Sequence, residues 1–396
     1  MRIYPFAALR PNEGDAALVA SVPYDVVNTA EAAALAEGNP KSFLHVSRPE
    51  IDLPAGTDAS SPEAYAQARK ALDALRASGT LVKEAEPKFY AYRQIMGSHS
   101  QTGIVACFAT SEYRSGVIKQ HEKTRKDKED DRTRHIEILG AQTGPAFLTY
   151  RDDPAIDLIV RTACQGAPLY DFVAPDGIRH TVWEIAAAGA CMADELAELF
   201  ARVDQAYIAD GHHRSAAATR YAAQHPESEE AQRYMAVIFP ASQLKILAYN
   251  RLIKDLNGLG KEEFLALVGK VFPGGKRKCR MYFDGRWTEL GWDIPADADV
   301  VGSLDVSYLQ DRLLRPALGI DDPRTSPRIS FMGGIRGDEA LQAEVDAGRA
   351  AVAFAMEPVT VEEMMAIADA GAIMPPKSTW FEPKLRSGLF VHEVEG

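Results

Sequence analysis

Cysteine is scarce in this sequence. Cys107, Cys164, Cys191 and Cys279 are all there is in 396 residues, and no two form a C-x-x-C pair. That spacing argues against a disulfide framework and against a structural zinc site, and it fits a reducing, cytoplasmic setting. Long apolar runs are missing too: no stretch approaches the length of a membrane span. The opening "MRIYPFAALRPNEG" carries Pro5, Arg10 and Pro11 where a signal peptide needs an unbroken apolar segment. The expectation is a soluble, cytoplasmic protein with no membrane partner. A positive field is absent as well. With 44 Lys and Arg against 56 Asp and Glu, the formal net charge is −12, which argues against a general nucleic-acid binder. The G-x-G-x-x-G fingerprint occurs in no useful place, so a nicotinamide dehydrogenase has no support.

What is present is ordinary globular composition, 46% hydrophobic and 25% charged, in a chain long enough for two or three domains. Strand-like and helix-like runs alternate without a regular βαβ series, which predicts an α+β (mixed α/β) fold. "SPEAYAQARKALDALRASGTL" reads as a helix with Ser61 as N-cap, Pro62 at its first position and Gly79 as its stop. Asn28 or Thr29 caps an earlier helix. "FYAYRQIM" and the run after "GSHS" read as a hairpin, "SFLHV" as an apolar strand, and "KCRMYFDGRWTEL" as a hairpin turning at Asp-Gly. Breaks are expected near residues 114 and 256. They give an N-terminal α/β domain (1–114), a central domain (115–256) and a C-terminal α/β domain (257–396) whose tail returns to the site.

The most informative stretch is "QAYIADGHHRSAAATRYA", residues 205–222. A short apolar strand ends in Asp210-Gly211, two histidines and an arginine follow, and an alanine-rich helix begins. Gly211 can take backbone angles closed to other residues and lets a ligand approach the main chain. The first amides of the helix lack internal partners and favour anions. Arg214 can add a bidentate phosphate contact. His212 and His213 can donate to phosphate oxygens, or one can move a proton. Asp210 can bind magnesium or accept a hydroxyl proton. The plainer alternative is that Asp210 caps the helix and the histidines sit on the surface. Zinc held by His212 and His213 alone is disfavoured, because adjacent helical residues point about 100° apart.

Other segments carry polar groups at close spacing. "HEKT" places His121, Glu122, Lys123 and Thr124 together, fit for one wall of a phosphate pocket or for a solvated loop. The charged run after it reads as a solvated face from which Arg132 can reach inward. "PPKSTWFEPKL" presents Lys377, Ser378 and Thr379 after two prolines, with Lys384 beyond, though without the glycines of a Walker loop. "VPYDVV" offers Asp25 for substrate binding, or a buried Tyr24 with a hydrogen-bonded aspartate. In "YNRLI" either Asn250 or Arg251 can face a pocket, and His45 reads as structural.

These stretches together, "VPYDVV", "NPKSFLHV", "HEKT", "ADGHHR", "YNRLI" and "MPPKSTWFEPKLRSGL", resemble the DUF1015 family from the first strand to the last. The "GHHR" turn is also similar to the phosphate-binding turn of the ParB/sulfiredoxin-like superfamily, which includes partition proteins, sulfiredoxins and free serine kinases. The resemblance implies a central domain of that type and phosphate chemistry. Sulfiredoxins need a cysteine where His212 stands, and partition proteins an acidic-basic pair where His212 and His213 stand. The resemblance points first to a nucleotide-dependent kinase acting on a small hydroxylated metabolite, serine being the candidate, with ATP or ADP as nucleotide. By that resemblance Glu122 is the general base. Gly211, His212, His213, Arg214, Lys123 and Thr124 hold phosphate, with Asp210 also in the catalytic set. Asp25, Lys377, Ser378, Thr379 and Lys384 bind substrate, and Mg2+ sits on Asp210 or on the nucleotide. Two alternatives stay open: a phosphomonoester hydrolase such as a phosphoserine phosphatase, and a non-catalytic nucleotide-binding regulator. The oligomeric state is not legible.

Overall fold

The run RYMAVIFP reads as a strand buried on both faces. In the computed structural model of the chain, Arg233–Pro240 is buried from Tyr234 onward and lies inside a nine-stranded sheet. The structure describes residues 1–185 and 191–395. Contacts divide them into two compact units, Met1–Leu244 joined by residues 383–395, and Lys245–Glu382.

The first unit is built on that sheet. Its strands are β1 (Ile3–Tyr4), β2 (Phe89–Met96), β3 (His99–Ala109), β4 (Ile118–Lys119), β5 (Ala146–Tyr150), β6 (Tyr170–Val173), β7 (Arg179–Ile185), β8 (Ala206–Asp210) and β9 (Arg233–Pro240). They lie in the order β4-β8-β5-β9-β3-β2-β7-β6, with β1 paired on β3. β4 runs parallel to β8 and β5 parallel to β9, and the other pairs are antiparallel. This is the mixed, α+β arrangement expected.

Helices form where the caps predict them. In α1 (Thr29–Ala36), Asn28 accepts from the Glu31 amide and Glu31 accepts from the Asn28 amide. In α2 (Pro62–Ala77), Ser61 accepts from the Ala64 amide and Pro62 holds the first position. α3 (Lys126–Leu139) ends at Gly140 in the left-handed region, and α4 spans His212–Gln224. Ile136 of α3, Ala217 and Tyr221 of α4 and Ile104, Leu148, Ile208 and Ile238 of the sheet share one core. Each fully buried large apolar side chain there contributes about 1.5–3 kcal/mol.

The second unit carries five antiparallel strands, Tyr249–Ile253 (β10), Arg277–Phe283 (β11), Arg286–Trp292 (β12), Ile329–Gly333 (β13) and Val352–Ala355 (β14), in the order β12-β11-β14-β10-β13. The β11–β12 turn has Asp284 at φ 52° and Gly285 at φ 74°, the two positive angles that an Asp-Gly hairpin turn uses.

Three expectations differ from this outcome. The break near residue 114 falls inside one sheet, because β3 before it pairs with β9 after it. The second boundary lies at Leu244–Lys245 rather than near 256, and the chain rejoins the first unit at Pro383. "SFLHV" is also helical, not extended: Leu44–Ser47 forms one turn, with the Leu44 amide donating to Ser42 Oγ at 3.3 Å and the Ser47 amide to the Phe43 carbonyl at 3.0 Å. His45 there meets the Asp52 carboxylate at 2.9 Å, a structural bond.

Candidate functional site

The site lies where β8 gives way to α4. Ala206 to Ala209 are buried, and the strand ends at Asp210. Gly211 stands at φ 88°, ψ 30°, a left-handed conformation costly for any residue with a Cβ. The N-cap residue of α4 is Gly211, which has no side chain to offer, so Asp210 is not the helix cap that the plainer sequence reading made it. The opening amides of α4 are the groups an anion would use.

Why the distant "HEKT" segment reaches this corner follows from topology. Ile118 and Lys119 pair in parallel with Ala206 and Tyr207, so the chain leaves both strands at the same end. His121 and His212 then meet edge to face with ring centroids 4.5 Å apart. Glu122 Oε2 lies 3.9 Å from His212 Nδ1, with the carboxylate partly exposed and the imidazole buried. The Arg125 amide donates to His213 Nε2 at 3.0 Å. Thr124 donates its hydroxyl to Glu129, and Lys123 is exposed.

Burial sets the charges of the two stacked histidines. It pushes His121 down to about 4. It also pushes His212 well below its ordinary value, with His121 adding to the effect. Both are neutral at pH 7 and line the corner without positive charge. His212 Nε2 is buried with no hydrogen-bond partner among the described residues.

Positive charge comes from Arg214 and Lys384. Arg214 Nη2 lies 3.2 Å from Asp210 Oδ2, and its Nη1 donates to the Pro145 carbonyl. Lys384 Nζ lies 3.6 Å from the same Asp210 oxygen. The Lys384 carbonyl accepts from Gln94 Nε2 at 2.8 Å, which fixes the tail segment here. Burial opposes the charge on Asp210, but Lys384 and Arg214 outweigh it and hold the carboxyl well below the usual range. Burial likewise opposes the charge on Arg214, and Asp210 outweighs it, with Asp25 adding to the effect.

These bonds revise two expectations. Both terminal nitrogens of Arg214 are committed, so it stands behind the helix start as a fixed charge and not as a free bidentate clamp. Asp210 sits between two cations, and among the described residues no group of three or more His, Cys, Asp or Glu is placed to hold a metal. Asp210 therefore does not fit the role of magnesium ligand.

The remaining residues fall in different places. Asp25 is exposed, next to Tyr24, whose ring lies 4.1 Å from the Arg132 guanidinium. Lys377, Ser378 and Thr379 belong to the second unit. There Ser378 donates to the Pro375 carbonyl at 2.7 Å, and Lys377 Nζ lies 5.3 Å from the centre of the Tyr249 ring. In that unit Asn250 accepts from the Met356 amide at 3.0 Å, and Arg251 is buried and pushed down to about 9 by burial. Sequence reasoning missed Pro145 and Ala146, which wall the Gly211 corner, and Ser47. In "GPAFLTY" they read only as the start of a core strand, and Ser47 carries no local signal.

Residues 3–307 match the model of a family described as a protein of unknown function, DUF1015. No curated protein matches the chain. Among solved structures, a mutant free serine kinase in complex with AMP is 14% identical at a TM-score of 0.37, over 72% of this chain and 91% of its own. A conserved hypothetical protein from Pyrococcus furiosus is 15% identical at 0.35, over 72% and 94%. SbnI with a C-terminal truncation, from Staphylococcus aureus, is 10% identical at 0.36, over 72% and 86%.

Proposed function

This chain belongs to the DUF1015 family, and on that premise we propose that it is a nucleotide-dependent phosphotransferase acting on a small hydroxylated metabolite. One observation carries the reading: the partly exposed carboxylate of Glu122, 3.9 Å from His212, stands beside a helix start that opens on Gly211 and is backed by the buried charge of Arg214. A base and an anion cradle are what phosphoryl transfer asks of a protein, since positioning and electrostatics supply most of its catalysis.

In this reading the α4 amides hold the phosphates and Gly211 lets them approach the main chain. Arg214 adds a charge fixed in place by Asp210 and Pro145, which needs no rearrangement during the reaction. His121 and His212, both buried and neutral, fill the wall behind Glu122. Glu122 takes the proton of the acceptor hydroxyl. The hydroxyl oxygen bonds to the terminal phosphorus of ATP or ADP, the bond from that phosphorus to its bridging oxygen breaks, and the shortened nucleotide leaves. Asp210, engaged by two cations, is a positioning residue for Arg214.

The test is product analysis by phosphorus NMR with the full chain, ATP or ADP, magnesium and serine as first acceptor, followed by a panel of small alcohols and hydroxy acids. A phosphorylated acceptor formed in step with nucleotide loss supports the reading. Phosphate release from phosphoserine without nucleotide would assign a hydrolase instead, and nucleotide protection without any turnover would assign a sensor.

A further inference from the structure

Behind Arg214, within the first unit, lies a cavity that the proposed chemistry does not use. Its polar lining includes Tyr24, Ser47, Arg132, Thr143, Arg214 and Ser387, and no carboxylate lines it. Two guanidinium groups therefore border a space whose other polar side chains are uncharged. His135, also on the wall, is pushed down to about 3 by burial and stays neutral, with Nε2 donating to the Val46 carbonyl at 3.4 Å. Ser47 is buried, and its hydroxyl has no hydrogen-bond partner among the described residues.

Arg132 is already held in position. Its Nε donates to Asp131 Oδ2 at 2.8 Å, its Nη2 lies 2.8 Å from the same oxygen, and its guanidinium lies 4.1 Å from the centre of the Tyr24 ring. An arginine has five N–H donors in a planar fork, so this ion pair leaves the donors of Nη1 and one of Nη2 for a planar oxyanion. The free space is about 40 Å³. At about 10–15 Å³ per water this is room for about three or four waters, which suits a three-atom carboxylate better than a five-atom phosphate.

We propose that this cavity seats the carboxylate of the acceptor, with Arg132 and Ser47 as its principal donors, so that the acceptor is a small hydroxy acid and not a neutral alcohol. The proposal rests on the phosphotransferase reading, because Arg214 walls both this cavity and the Gly211 corner.

The experiment is calorimetric titration of the full chain with glycerate, with glycerol as its uncharged counterpart and inorganic phosphate as a competing anion. ATP protection in a thermal-shift assay is read alongside. Glycerate should bind at least 10-fold more tightly than glycerol. Arg132→Ala should weaken it at least 10-fold. Ser47→Ala, which only removes an unpartnered buried hydroxyl and should fold normally, should weaken it several-fold. ATP protection should persist in both variants. Equal binding of glycerol, displacement of glycerate by equimolar phosphate, or unchanged glycerate affinity in both variants would overturn the assignment. If ATP protects and glycerate does not bind, this cavity's role alone fails. If the glycerate results hold and ATP gives no protection, the phosphotransferase reading fails and the carboxylate site stands.

Discussion

The guanidinium of Arg214 occupies the space a side chain on Gly211 would need: Nε lies 2.9 Å, and Cζ 3.0 Å, from where a Cβ would be. Backbone and packing thus both demand glycine. Gly211→Ala should lose about 1–2 kcal/mol from the left-handed backbone alone, and more from the shift of Arg214 off Asp210. Urea denaturation gives the first quantity. Loss of nucleotide protection in the still-folded variant reads the second. A variant as stable as the parent would mean the corner is not held as described.

Glu122 and His212 come from segments ninety residues apart, and the partly exposed carboxylate is the group the proposed function makes the base. Glu122→Gln keeps size and hydrogen bonding and removes basicity. Turnover should fall about 10²- to 10⁴-fold, with nucleotide protection unchanged. Retained turnover would place the base elsewhere.

Much of this corner was legible because its signals are local. The Asp-Gly step between an apolar strand and an alanine-rich helix marks Gly211, and Asn28, Ser61 and Pro62 announce their helices. The partnership of His121 with His212 was not derivable in that way. It depends on β4, a strand of two residues with no periodicity to read, pairing in parallel with β8. The break at 114 misled for a related reason. The charged run after it covers the surface of α3, and the strands on either side close one sheet across it. The capture of Arg214 by Pro145 is equally hidden, since a backbone carbonyl leaves no trace in residue identity.

Asp210 serves two cations at once, Arg214 at 3.2 Å and Lys384 at 3.6 Å. Asp210→Asn should therefore destabilise the first unit, by about 1–3 kcal/mol for the weakened charged hydrogen bond from Arg214 and the lost ion pair with Lys384. Lys384→Met in the same background should recover part of the loss, because it removes a cation that has lost the Asp210 carboxylate. A double-mutant cycle in urea measures the coupling, expected at about 0.5–3 kcal/mol. Strict additivity would mean the Lys384 contact contributes nothing.

Buried neutral histidines make the first unit sensitive to mild acid. His121 is pushed down to about 4, and His135 and His180 to about 3, in each case first by burial. An unfolded histidine titrates near 6.5. Between those values the unfolded chain binds protons the folded chain refuses, so stability rises with pH across the interval and is lost as pH falls from about 6.5 toward 4. Each of the three contributes up to about 1.4 kcal/mol per pH unit. Asp305, in the second unit, is pushed up to about 6 by burial. It acts in the opposite sense, stabilising its own unit as pH falls through 6. Denaturation followed separately for the two units between pH 7 and pH 4.5 should show the first weakening steeply, with Asp305 shifting the second in the opposite direction. His135→Gln and His180→Gln should each flatten the first slope by about one proton. A first unit whose stability does not change over that range would show that these imidazoles protonate without leaving the folded state.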